Sequence, residues 1–189
     1  MKKRIVIADD EPITRMDFFE LLKEANYDVV GEASDGFDAV ELCRKLKPDL
    51  VLMDVKMPLL DGLKASKIIT QENLVSSVVL ITAYSGKEFI DRAKEAGVMG
   101  YIVKPVDEKS LLPTIEVAIS KGEEFKKIKE EAVKVEKELE ARKIIERAKG
   151  VLMSKYGLSE KEAYNKIRKL SMDKRCAMKE IANAILINE

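Results

Sequence analysis

Residues 50–54 read Leu50-Val51-Leu52-Met53-Asp54, four apolar side chains followed by a carboxylate. The apolar residues do not alternate with polar ones. That pattern fits a central parallel strand covered on both faces. Pro48 precedes the run, and Pro58 and Gly62 bracket the loop after it. Asp54 therefore stands at the carboxyl end of its strand, where open parallel sheets place their chemistry.

The same design recurs on either side. Arg4-Ile5-Val6-Ile7-Ala8 runs into Asp9-Asp10, Val78-Val79-Leu80-Ile81 into Thr82, and Tyr101-Ile102-Val103 into Lys104-Pro105. A further strand is expected over 28–33. Helical spacing fills the intervals at 13–24 (with Pro12 just inside the start), 37–46, about 62–70, 86–95, and from Glu108 onward. Five β-α units with right-handed crossovers predict a (βα)5 flavodoxin-like parallel sheet, helices on both faces.

Strand ends in such a sheet converge in space. Asp9, Asp10, Asp54, Thr82 and Lys104 would then share one crevice. Carboxylates packed together repel, and burial raises the cost. A hard cation such as Mg²⁺, or a nearby lysine, offsets it. Asp54, on the central strand, is best placed as a nucleophile that takes up a phosphoryl group as an aspartyl phosphate. Asp10, with Asp9 behind it, would hold Mg²⁺. Lys104 would pair with the phosphoryl as a point charge, and Thr82 would donate a hydrogen bond to it.

The 189 residues contain no histidine, which excludes His-based metal sites and His-based acid–base catalysis. The two cysteines, Cys43 and Cys176, form no spacing pattern, and a reduced cytosolic setting is the simplest expectation. No apolar run is long enough to cross a membrane, so a cytoplasmic location without a membrane partner is expected. Net charge is zero but uneven: residues 142–189 carry +6 and the remainder −6. An acidic domain joined to a basic one follows, and a basic module of this size often meets a polyanion.

Beyond Gly122, where the helix has a possible bend, Phe125, Ile128, Ala132, Val135 and Leu139 recur at spacings of 3, 4, 3 and 4. That is the spacing of a two-helix seam with polar residues between, so a dimerising coiled coil is expected; a solvated connector is the alternative. Further helices are expected at about 139–156, from a Ser159/Glu162 capping box to about Leu170, and over 174–187, with Ser171-Met172-Asp173 as a short connection. Three short helices make a minimal bundle that needs the connector to complete its core. Leu152, Ala163, Ile167 and Ile181 are its expected packing positions.

The Asp9-Asp10 pair, Asp54 with Met57-Pro58 and Asp61-Gly62, Thr82-Ala83 and Lys104-Pro105 together resemble the receiver domains of two-component response regulators. The resemblance covers about residues 3–120. It implies phosphorylation of Asp54 by a sensor histidine kinase, with Mg²⁺ held by Asp10, Asp54 and the backbone carbonyl of Lys56, and supported by Asp9. It also implies that Thr82 and Tyr101 form a switch pair that reports phosphorylation to an outer face.

The tail resembles an ANTAR domain over about 135–187. The residues that carry this are Leu139, Arg142, Ile145, Ala148-Lys149-Gly150, Leu152-Met153, Gly157-Leu158-Ser159-Glu160, Glu162-Ala163, Arg168, Ser171-Met172-Asp173 and Ile181-Ala182. The order receiver, coiled coil, ANTAR is also the family's. It implies a homodimer that binds paired hairpins in structured leader RNA and prevents transcription termination, compatible with contact to the transcription machinery. Arg142, Lys149, Arg168, Arg175 and Lys179 are the expected RNA contacts, and Tyr156 or Tyr164 is available to stack on a loop base. Where the family tends to carry an Asn-like residue and then Arg, this chain has Arg175 and Cys176. The expected domains are a receiver at 1–121, a coiled-coil linker at 122–138 and the ANTAR unit at 139–189. A DNA-binding or protein-sequestering output is the alternative; an enzyme is not expected.

Overall fold

Arg4–Ala8 (β1), Asp28–Ala33 (β2), Leu50–Asp54 (β3), Ser77–Thr82 (β4) and Gly100–Val103 (β5) pair in parallel in the order β2-β1-β3-β4-β5. This is a computed structural model, and it describes residues 2–84 and 86–187. Every residue of β3 and β4 is buried, whereas edge strand β2 is mostly half-buried and β5 exposes Tyr101 and Val103. Successive side chains of the inner strands enter opposite cores, which is why those strands read as unbroken apolar runs. Val6, Val51, Met53, Val78 and Leu80 meet α2 (Gly36–Leu46), α3 (Gly62–Gln71) and α4 (Lys87–Glu95). Ile5, Ile7, Leu50, Leu52, Val79 and Ile81 meet α1 (Pro12–Glu24) and the first turns of α5, through Leu111, Ile115 and Ala118. The chain leaves β1 toward β2 and returns on its other side to β3. This reversal opens a crevice at the carboxyl ends of β1 and β3.

Capping fixes the loops around that crevice. The Asp35 carboxylate accepts from the N–H groups of Phe37 and Asp38 at the start of α2, and Asp61 accepts from Lys64 N at 2.9 Å at the start of α3. Each satisfies amides that the helix itself leaves unpaired.

The tail departs from the sequence expectation in two places. First, α5 runs without interruption over Glu108–Tyr156, so neither a bend at Gly122 nor a separate helix at 139–156 is found. Gly122 answers a packing need instead. A Cβ there would lie 2.0 Å from Ser77 Oγ and 2.3 Å from the Ser76 carbonyl oxygen. The absent side chain lets α5 pass against the start of β4, where Ser77 Oγ donates to the Ala118 carbonyl at 2.7 Å. Second, α6 spans Glu160–Lys174, four residues past the expected end, and α7 spans Met178–Ile187. Ser171, Met172 and Asp173 can all be helical, so they do not stop the helix. Arg175 stops it by turning left-handed at φ 52°, and Ser171 Oγ donates to the Cys176 carbonyl at 2.5 Å across the turn.

The chain divides into two compact units, Met1–Lys127 and Ile128–Glu189. The division falls inside the expected linker. In the second unit, Ala148, Leu152, Ala163, Ile167 and Ala182 form a buried core, flanked by Ile144, Ile145, Leu158 and Ile181. The connector helix thus supplies one wall of the bundle. Gly157 ends α5 at φ 65°, and the capping box of Ser159 and Glu162 starts α6. Phe125, Ile128, Ala132, Val135 and Leu139 are all exposed along α5. No helix among the described residues is long and apolar enough to cross a membrane.

Candidate functional site

β1, β3 and β5 bring Asp9, Asp54 and Lys104 together. Lys104 Nζ lies 2.6 Å from Asp54 Oδ1 and 3.4 Å from Asp9 Oδ2. Both carboxylates are buried, and the Lys104 side chain is a third exposed, at the mouth. The other oxygen of Asp54 accepts from Lys56 N at 2.6 Å. Asp9 Oδ1 accepts from Glu11 N at 2.9 Å, and Arg15 donates to the Asp9 carbonyl at 2.7 Å. The two carboxylates are therefore held from behind by backbone amides while their free edges face one ammonium.

This arrangement sets the protonation balance. Burial pushes the Asp54 carboxyl above its ordinary value; the hydrogen bond and charge of Lys104 pull the other way, and the charge of Asp9 adds to the rise. Burial works to lower the Lys104 ammonium, but Asp54, then Asp9, outweigh it and hold it above its ordinary value. Among the described residues, no three carboxylate, thiol or imidazole side chains come together as a ready-made metal cluster.

Asp10 is exposed and lines a cleft of about 690 Å³ beside this pair, with Lys56, Met57, Asp61, Tyr84 and Phe89 among its walls. Thr82 is buried at the end of β4, where its Oγ1 accepts from Tyr84 N at 2.9 Å. Its carbonyl accepts from Lys104 N at 2.8 Å, which ties the hydroxyl and the lysine to one strand end. The Tyr101 ring is 38% exposed and meets Phe89 edge to face, with centroids 6.2 Å apart.

Two glycines shape the loop beside the crevice. A Cβ on Gly62 would lie 2.0 Å from the Asp54 carbonyl oxygen, and one on Gly36 would lie 2.3 Å from the Leu60 carbonyl oxygen. Gly62 N also donates to the Val55 carbonyl at 2.9 Å. These glycines permit backbone-to-backbone approach around the loop that follows Asp54. In the sequence they look like turn and helix-start signals only, because the partner carbonyls lie remote along the chain or across a folded loop.

The expected RNA contacts separate into two groups. Arg142, Arg168 and Arg175 are exposed and carry no ion pair among the described residues. Lys149 is engaged by carboxylates within the bundle. Its side chain is only 7% exposed, and its ammonium sits 2.9 Å from Glu146 and 2.7 Å from Glu160. The reason is its helical position next to Ala148, on the face that packs against the start of α6. Lys179 is likewise engaged, 2.8 Å from Glu140. Of the two candidate stacking rings, Tyr156 has Lys166 Nζ over it at 4.7 Å, while Tyr164 is 42% exposed.

Sheet order and the carboxylate–lysine crevice define a module of the receiver type. The model of the response regulator receiver domain matches residues 5–116, and that of the ANTAR domain matches 134–186. The chain is 44% identical over 184 residues to the transcriptional regulatory protein PdtaR of Mycobacterium tuberculosis, covering 97% of this chain and 89% of the relative. It is 37% identical over 105 residues to the chemotaxis protein CheY of Thermotoga maritima, 56% of this chain and 88% of that one. Among solved structures, a LuxR-family two-component response regulator from Aurantimonas matches with a TM-score of 0.59 and 33% identity over 64% of this chain and 86% of that one. The response regulator domain of Thermotoga maritima CheB matches with a TM-score of 0.59 and 29% identity, over 64% and 98%. The chain belongs to the response-regulator family, with a receiver domain followed by an ANTAR domain. That architecture is a phosphorylation-dependent regulator with an RNA-binding, antiterminating output.

Proposed function

We propose that Asp54 accepts a phosphoryl group from a sensor histidine kinase and that this controls RNA binding by the tail. The observation that carries the reading is the single ammonium of Lys104 shared by buried Asp54 and Asp9. In the transfer, an Asp54 oxygen bonds to phosphorus, the phosphorus–nitrogen bond to the donor imidazole breaks, and that imidazole leaves with a proton. Burial makes Asp54 a more basic nucleophile, while Lys104 keeps it ionised. Lys104 then pairs with the phosphoryl oxygens, and the Thr82 hydroxyl, whose proton is not used by Tyr84 N–H, donates to them.

The donor set fits Mg²⁺. Asp9 and Asp54 offer buried carboxylate oxygens, and Asp10 and Lys56, in the wall of the adjoining cleft, would add a carboxylate and a backbone carbonyl; all are hard ligands, and the carboxylates outnumber the one ammonium of Lys104. Bound there, the metal supplies charge neutralisation for the phosphoryl oxygens.

Movement of Thr82 toward the phosphoryl would free space behind it, and Tyr101, resting edge-on against Phe89, is placed to respond. The exposed seam Phe125, Ile128, Ala132, Val135 and Leu139 supports a homodimer, which would offer two tails to two hairpins of a leader RNA. We place the domains at 1–121, 122–138 and 139–189, Arg142, Arg168 and Arg175 among the RNA contacts, and the action in the cytoplasm alongside the transcription machinery.

Single-round transcription on a template whose leader carries two hairpins ahead of a terminator tests this. Readthrough is expected to rise with protein and a small phosphodonor, and not with the Asp54→Asn variant. Readthrough unaffected by the phosphorylated protein contradicts the reading.

A further inference from the structure

The first turn of α6 carries two glutamates, Glu160 and Glu162, yet neither charge is free. Glu160 Oε1 lies 2.7 Å from the ammonium of Lys149. Glu162 accepts from Ser159 N at 2.9 Å and from Ser159 Oγ at 2.6 Å in the capping box. The helix buries Ala163 and Ile167 against the bundle core. Lys161, Asn165, Arg168 and Met172 follow at spacings of 4, 3 and 4, which places them along one stripe opposite that core. All four are exposed, and so is Tyr164 at the edge of the stripe. None of the five has an ion pair or ring contact among the described residues.

We propose that the outward stripe of α6, formed by Lys161, Tyr164, Asn165, Arg168 and Met172, is the surface that takes an unpaired RNA loop. This rests on the RNA-binding reading of the tail and assigns it a face. The chemistry is that of single-stranded nucleotides. Two cations, seven residues apart, lie about 10 Å from each other along the axis and can meet successive phosphates. Between them stand one carboxamide able to address a base edge and one ring with an open face able to stack. The exposed thioether of Met172 extends the apolar end. A protein partner of basic or mixed charge would find no acidic group on this stripe to pair with. Lys149 has a different part: by neutralising Glu160 and joining α5 to α6, it is a positioning residue that keeps the stripe free of negative charge.

The test uses the full-length protein phosphorylated with a small phosphodonor. The probe is an RNA selected by the wild type from a pool of two-stem-loop molecules with randomised loops. Arg168→Ala and Lys161→Ala are each expected to lower the slope of log affinity against log salt by about one. Tyr164→Ala is expected to weaken binding about fivefold or more with the slope unchanged, and Tyr164→Phe to restore it. Lys174→Ala, a change of equal charge off the stripe, should leave affinity and slope as in the wild type. If stripe variants bind like the wild type, or Lys174→Ala lowers the slope equally, the assignment of the face is overturned while RNA binding stands. If the wild type selects no RNA, or binds the fully paired duplex of the same stems equally well, the reading on which the face rests falls too. All the substituted residues are exposed, so circular dichroism is expected to show an unchanged fold.

Discussion

The ammonium of Lys104 lies 2.6 Å from one carboxylate oxygen of Asp54, and the other oxygen is held at 2.6 Å by the Lys56 amide. Asp54 is thus fixed at both oxygens, on a strand with every residue buried. The carboxylate is oriented before any donor arrives, which is the condition under which positioned groups contribute most to a transfer. Its position follows from register: β3 pairs Asp54 with Ile81, one residue before Thr82, and β5 pairs Val103 with Thr82, one residue before Lys104.

Removing the lysine tests that arrangement. Lys104→Ala leaves two buried carboxylates facing each other without a cation. Lys104 is a third exposed, so the loss of stability should be about 1–3 kcal/mol, below that of a fully buried pair. Phosphoryl uptake from a small donor should slow at least about tenfold. Urea titration and a phosphate-sensitive gel measure the two effects; uptake at the wild-type rate would remove Lys104 from the site.

The Asp54 carboxyl is raised in the fold, so the folded chain holds that proton more tightly than the unfolded chain. Its contribution is favourable below the ordinary carboxylate value, where the group is protonated in both states, and is lost as pH rises through the raised value. Asp54→Asn stays neutral throughout. Melting temperatures of the two proteins, compared across that acid-to-neutral window, should diverge in favour of Asn as pH rises. A constant difference, or one of opposite slope, contradicts the assigned direction. The same variant should take up no phosphoryl.

Gly62→Ala places a methyl 2.0 Å from the Asp54 carbonyl oxygen. Backbone must move to admit it, at a cost of about 1–3 kcal/mol. Because the displaced atom belongs to Asp54, the phosphoacceptor we propose, uptake should fall together with stability. Wild-type uptake at lowered stability would show that the loop yields without disturbing Asp54.

Lys149→Met should loosen the bundle, since it leaves Glu146 and Glu160 without their shared cation. Hydrogen exchange over α6 should quicken, while the salt slope of RNA binding stays as in the wild type. A slope lowered by about one would instead make Lys149 a phosphate contact.

The receiver was legible because its signals are local and mutually consistent. Each inner strand is an unbroken apolar run, each ends on a polar residue, and a parallel sheet brings those ends together. Thr82 could be placed at the end of its strand and Tyr101 near the start of its own, but neither could be given neighbours: the edge contact of Tyr101 with Phe89 depends on how α4 packs. Gly36, Gly62 and Gly122 were legible as glycines but not as close approaches, since the atoms they admit belong to other segments. The tail was less legible for a related reason. Helical spacing shows that Lys149 is polar on an otherwise apolar face, but not that Glu160 arrives from the next helix to meet it. The run Ser171-Met172-Asp173 has turn composition without a left-handed residue, and that residue, Arg175, settles where α6 ends.

The central claim is that phosphorylation at Asp54 changes how the tail binds RNA. The most direct measurement is the affinity of the full-length protein for a two-stem-loop RNA, with and without a small phosphodonor and Mg²⁺, alongside Asp54→Asn. Phosphorylation is expected to tighten binding about tenfold, within the range of coupling between linked sites, with no response in the variant. Equal affinity of the phosphorylated and unphosphorylated wild type, or an equal response from Asp54→Asn, would contradict it.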